Sequence, residues 1–207
     1  MKTSAFFFLK TGLLLAGLLY ALSAQAQINV FWGNSAETVM IVDSSGNAMP
    51  EGSLIYLGIF SENTDFGEHG TDLTYLLDHF TLLASSAIGD GGYDGIDGYF
   101  SASAILSETS TQLSYWIFNS GDIASATEWS VTSSALWTTP ASIQSILTTD
   151  LGQLTTGDVL VGILDVANGL LKTAAGSAVP EPFAFAALAG LAGLAFAAAR
   201  RKPGSQV

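Results

Sequence analysis

Between residues 27 and 178 the chain alternates short apolar runs with clusters of turn residues. Residues 28–32 (INVFW) and 38–42 (TVMIV) are the first two runs. The segment 43–52 (DSSGNAMPEG) that follows is dense in Asp, Ser, Gly and Pro, which favour turn geometry. Residues 54–60 (LIYLGIF) are almost continuously apolar and predict a buried strand. Runs 98–107 and 112–119 flank 108–111 (ETST), a spacing that predicts a hairpin. Its second arm, LSYWIFN, is the stretch richest in strand formers. Residues 129–133 and 159–166 (VLVGILDV) complete the set. Short runs at this spacing predict a mainly β domain, a β-sandwich or barrel.

Two stretches follow a different period. In 71–87, Leu73, Leu76, Leu77, Phe80 and Leu83 fall at i, i+3, i+4, i+7 and i+10, one face of a helix. Thr71 is the expected N-cap, Asp72 suits the first turn and Gly89 is the stop. Residues 142–147, with Ile143, Ile146 and Leu147, predict a shorter helical turn. The β domain is therefore expected to carry one or two short helices. No internal repeat is present.

The two ends have their own patterns. Lys2 and Lys10 precede the apolar run 11–22, and Ala24-Gln25-Ala26 gives a small-x-small cleavage pattern. Residues 1–26 read as a secretory signal peptide cut by signal peptidase after Ala26, so that the mature chain begins at Gln27. The run is short for a permanent anchor. At the other end, Pro180-Glu181-Pro182 precedes 183–199 (FAFAALAGLAGLAFAAA), where every position is apolar. A soluble core helix would keep a polar face, so this run predicts a transmembrane helix of roughly 25 Å. Arg200, Arg201 and Lys202 form the cytoplasmic stop, which leaves the domain outside. Residues 203–207 are expected to be a disordered tip.

The tail resembles the PEP-CTERM sorting signal of exported bacterial proteins, on Pro180, Glu181, Pro182, the apolar run 183–199, Arg200 and Arg201. The resemblance covers residues 179–202. It implies recognition by an exosortase-type membrane transpeptidase, cleavage near the motif, and delivery to the cell surface or exterior of a Gram-negative bacterium that makes exopolysaccharide. The six residues after the arginine pair are a mild departure from that pattern. Part of the interior, Tyr99-Phe100-Ser101, 115–119 (YWIFN), Glu128-Trp129, Trp137 and Pro140, resembles a domain common in proteins with this tail. That second likeness implies no catalytic residue.

Charge and composition narrow the function. From 27 to 178 a single base, Lys172, faces seventeen acids, a net charge of −16. Nucleic acid is excluded as a partner, because phosphate neutralisation needs clustered Lys and Arg. Docking on anionic lipid through a basic face is excluded likewise. The chain has no cysteine, so an exported core must hold without disulfides and no thiol nucleophile exists.

Candidate chemistry centres on 89–98 (GDGGYDGIDG). Asp90, Asp94 and Asp97 sit among five glycines that free the backbone to fold around a cation. Calcium takes six to eight oxygens, and such a loop can supply several. The spacing fits neither the EF-hand nor the glycine-rich calcium repeat, and a solvated turn accounts for the same residues. His69 and His79 are too far apart for a helical zinc pair and read as exposed polar residues. No serine lies in a nucleophile elbow, and the glycines do not form a phosphate loop. Trp116, Trp129 and Trp137, with Tyr93 and Tyr99, would stack on sugars if they lined one face, and are core residues otherwise.

The sequence thus reads as a non-catalytic exported envelope or extracellular-matrix protein that meets acidic polysaccharide through divalent cations. No cofactor is expected beyond the candidate calcium. The alternative is a carbohydrate-binding module or a glycan-active enzyme. A glycoside hydrolase would need two carboxylates about 5–10 Å apart across a cleft.

Overall fold

A computed structural model of the chain describes residues 27–34, 38–142 and 145–176. The expected signal peptide with Ala24 and Ala26, the sorting motif, the transmembrane run with Arg200 and Arg201, and Ile143 lie outside the described residues.

Alternation along β1 (Ile28–Gly33) sets the first sheet. Ile28, Val30 and Trp32 are buried, whereas Asn29 and Phe31 face solvent. The strand lies between β5 (Ser101–Leu106), antiparallel, and β8 (Ser145–Asp150), parallel. A second small sheet has β11 (Leu170–Lys172) at its centre. It pairs antiparallel with β10 (Ile163–Asp165) and parallel with β2 (Met40–Val42). The large sheet runs β12 (Ala174–Ala175), β7 (Glu128–Thr138), β6 (Gln112–Phe118), β3 (Leu54–Phe60) and β4 (Phe80–Ala87), with β9 (Val159–Val161) also on β7. The described region is mainly β, and its sheets are open.

The central strands of the large sheet are buried on both faces, which is why 54–60 and 112–118 read as near-continuous apolar runs. On one face Ile55, Leu57, Leu113, Tyr115 and Ile117 join residues of both small sheets, including Trp32, Ile41 and Leu171, in one core. On the other, Trp116, Phe118, Trp129 and Val131 pack beneath two short helices, α1 (Phe66–His69) and α2 (Leu73–Asp78).

The predicted helix 71–87 is only partly helical. Asp72, rather than Thr71, caps α2 by accepting from the Tyr75 N–H, and the helix ends at His79. From Phe80 onward the chain pairs with β3 along its whole length. Thr81, Ser85 and Ser86 add little helix propensity, so pairing with an open strand edge overrides the period. Leu57 faces Ala84 and Gly58 faces Leu82, which leaves Leu83 as the bulged residue and lets Leu83 and Ala84 both reach the core. A Cβ at Gly58 would collide with the Phe80 ring and the Thr81 carbonyl, so the close approach requires glycine.

Three further expectations are corrected. The 98–107 and 112–119 runs do not form a hairpin: β5 pairs with β1, and β6 pairs with β3 and β7. Residues 107–111 cross between the sheets instead, with Ser110 at φ 53° and its N–H donating to the Thr139 carbonyl. Of the predicted helical turn 142–147, residues 145–147 lie in β8 instead, because pairing Ile146 with Asn29 and Leu147 with Val30 seats Leu147 on the core. The run 159–166 is two strands: Gly162, at φ 103°, turns the chain from the large sheet into the second small one.

Two polar clusters tie the elements together. Asn34, 3% exposed, donates from Nδ2 to the carbonyls of Val39 (2.7 Å) and Gly98 (2.9 Å), and its Oδ1 accepts from the Phe100 N–H (2.9 Å). Glu128 on β7 accepts from the Ser44 N–H, the Ser44 hydroxyl and the Thr173 hydroxyl. Burial opposes its charge, but these bonds outweigh it and hold the carboxyl below its usual range.

Candidate functional site

A cleft of about 700 Å³ opens at one end of the large sheet, where the ends of β3, β6 and β7 meet α1 and the turn before β9. Its apolar wall is Phe60, Phe66 and Leu160. Phe66 is placed by Asp65, which caps α1 by accepting from the Gly67 and Glu68 N–H groups, and it meets Phe60 edge-on at 5.0 Å. The 61–64 turn is closed by the Thr64 N–H and hydroxyl, both donating to the Ser61 carbonyl. Opposite lies the 110–112 crossing, held by the Thr111 N–H donating to the Thr139 hydroxyl.

The floor is polar. Gln112 donates from Nε2 to the Ser133 hydroxyl (3.0 Å), which donates to the Leu113 carbonyl (2.8 Å). That arrangement leaves the Gln112 amide oxygen available. Ser114, 4% exposed, lines the cleft and makes no side-chain hydrogen bond to any described residue. Two carboxylates also line it. Asp158 is engaged by the Thr155 N–H and hydroxyl, whereas Glu62 is exposed with no described partner. No basic residue lies in the lining. The cleft therefore offers hydroxyls, one amide and one free carboxylate beside an apolar wall.

The acidic loop is put to other uses. The Asp90 carboxylate accepts from the Ser86 hydroxyl and the Ala87 N–H, both at 2.7 Å. Asp97 accepts from the Glu51 N–H at 2.9 Å, and Asp94 is exposed. The five glycines all have positive φ, and a Cβ at Gly91 would strike the Ser101 carbonyl. Among the described residues no three His, Asp or Glu side chains converge as a metal site.

The predicted aromatics are dispersed. Trp116, Trp129 and Trp137 are fully buried and form no sugar-binding strip. Trp129 donates to the Gly70 carbonyl and Trp137 to the Gln153 side-chain oxygen, whereas the Trp116 indole N–H is unpartnered. Tyr115 stacks on Trp137 at 4.6 Å, and burial pushes its phenol far above the usual range. Tyr93 and Tyr99 stack on each other at 5.9 Å. His69 and His79 are half-buried rather than exposed, one on each face of the Tyr75 ring, each at 4.1 Å.

None of the cleft residues was singled out from sequence. One signal was present: along 112–118 the positions 114, 116 and 118 share a face, and Ser114 interrupts an otherwise aromatic stripe. Comparison of the chain with protein-family models, with curated proteins and with solved structures finds no match.

Proposed function

We propose that the chain is a non-catalytic exported protein of the cell envelope or extracellular matrix, delivered by its signal peptide and sorted through its C-terminal tail. The observation that carries this reading is the order of features around the domain: Ala24 and Ala26 before Gln27, then Pro180-Glu181-Pro182, an apolar run and Arg200-Arg201. Signal peptidase, an exosortase-type transpeptidase and the membrane are its handling partners. The chain is membrane-anchored before processing and surface-bound or extracellular afterwards. The fold supports the reading at both margins. Ile28 is already buried in β1, and Gly176 packs against the Trp129 ring. A large sheet packed through one core onto two smaller sheets supports a β-sandwich. With a net charge of −16 over 27–178, association with acidic exopolysaccharide would run through divalent cations.

Glu181→Ala, expressed in a host that contains a sorting enzyme, leaves the protein in the membrane fraction, and intact mass of the released wild type locates both cuts. Release of the variant equal to wild type refutes the sorting reading.

A second reading, a carbohydrate-binding module, is favoured by the hydroxyl-lined cleft.

A further inference from the structure

We infer that the cleft between the 61–64 turn and the 110–112 crossing binds a neutral oligosaccharide segment, with the Ser114 hydroxyl, the Gln112 amide oxygen and the Glu62 carboxylate as its polar contacts. The inference rests on the carbohydrate-binding reading and assigns that reading a site. Its first ground is Ser114. Its hydroxyl makes no side-chain hydrogen bond to a described residue and stays accessible to the cleft, unlike the unpartnered hydroxyls of Ser53, Ser130 and Thr132, which are sealed from solvent. This one faces a space that a ligand can fill.

Its second ground is the match of chemistry. The Thr64, Thr111 and Ser133 hydroxyls already donate to backbone carbonyls and keep lone pairs that can accept from a sugar, and Ser110 adds a hydroxyl that can donate or accept. Phe60, Phe66 and Leu160 supply apolar surface for the C–H face of a pyranose. A volume near 700 Å³ lies within the range of sites that enclose small ligands.

Charge selects among saccharides and against other ligands. The cleft has no base to receive an anion, and the whole described domain has only Lys172. Acidic sugars are therefore repelled both locally and by the field of the domain. A basic peptide would satisfy Glu62, but the engaged Asp158 and the hydroxyl majority give it little more to pair with. Ser110, held at φ 53°, is the one non-glycine residue with positive φ among the described residues, and it sits on the rim. Positive φ of this kind is kept where the surroundings hold a backbone in place.

The test is isothermal titration of the full chain in detergent with cellohexaose, maltohexaose and mannohexaose, with a hexameric alginate and hexalysine as charged controls. At least one neutral hexasaccharide gives saturable binding, and alginate gives none. Ser114→Val weakens that binding tenfold or more, and Glu62→Gln weakens it at least threefold. Should Ser114→Val fail to fold, Glu62→Gln, on an exposed side chain, decides alone. No saturable binding to any neutral hexasaccharide overturns the inference and the carbohydrate reading together. Binding unchanged in both variants leaves the carbohydrate reading standing and overturns this site. Hexalysine binding that Glu62→Gln abolishes, with no neutral binding, makes the cleft a basic-peptide site and also overturns the inference.

Discussion

Replacing Asn34 with Ala removes one buried side chain that serves three backbone groups. The Gly98 carbonyl keeps a partner, since it also accepts from the Ile41 N–H. The Val39 carbonyl and the Phe100 N–H lose theirs. A buried backbone group left unpaired costs about 1–3 kcal/mol, so the two together cost about 2–6 kcal/mol. For a domain of this size that lowers Tm by roughly 4–24 °C. Thermal unfolding followed by tryptophan fluorescence suits the measurement, because all the tryptophans in the described residues are buried. Asn34→Asp sharpens the test. It keeps an acceptor for Phe100 but turns carboxylate oxygen toward the Val39 and Gly98 carbonyls, so the folded state raises the new carboxyl's pKa above its unfolded value near 3.9. A carboxyl with a raised folded pKa binds more protons when folded. The variant must therefore lose stability, relative to wild type, as pH rises from about 4 to 7. A Tm drop below 1 °C for Asn34→Ala, or a pH-independent difference for Asn34→Asp, refutes the reasoning.

Other outcomes follow from equally local features. Gly162→Ala forces a side chain onto a φ of 103° and into the Lys172 carbonyl; a loss of about 2 kcal/mol or more in denaturant unfolding is expected, and a neutral result would remove the hinge role given to this glycine. Glu128 is held below its usual range, so its contribution is present above the unfolded pKa near 4.3 and is lost as pH falls through the folded value. Between pH 6 and 2, wild-type Tm should fall more steeply than that of Glu128→Gln, and parallel curves would count against the Ser44–Thr173 network. Because Asp90 and Asp97 already accept protein hydrogen bonds, millimolar calcium and magnesium at matched ionic strength should shift Tm equally. A shift specific to calcium, abolished by changing Asp90, Asp94 and Asp97 to Asn, would restore the metal reading.

What could be read from sequence was what local chemistry fixes. The buried strand 54–60 lies where its apolar run places it, and the turn-rich 43–52 loop is closed by Asp43, which accepts from the Ser45 and Asn47 N–H groups. What could not be read was pairing across long separations. The leucine period of 71–87 is real, yet Leu73 and Leu76 pack from a helix onto one face of the large sheet while Leu83 packs from a bulge onto the core of the other face. The apolar run 159–166 gave no sign that Gly162 divides it between two sheets. The strands 170–172 and 174–175 are too short for a period to show. The cleft was hidden for a related reason: Ser61 and Glu62, Ser114, and Asp158 come from three separate segments, and only Ser114 stood out of pattern.

The placement of β1 bears on the order in which this molecule can fold. Ile28 pairs with Leu106 on one side and with Ser145 on the other. The first strand among the described residues thus cannot complete its sheet until residues far downstream are free to join it. Closing loops of that length before any contact repays them makes for a slow, high-contact-order search. In a chain that emerges from its N-terminus, the opening strand meets β5 first and then waits, with one edge still open, for β8. One edge of apolar β1 thus stays unpaired until residues 145–150 are available.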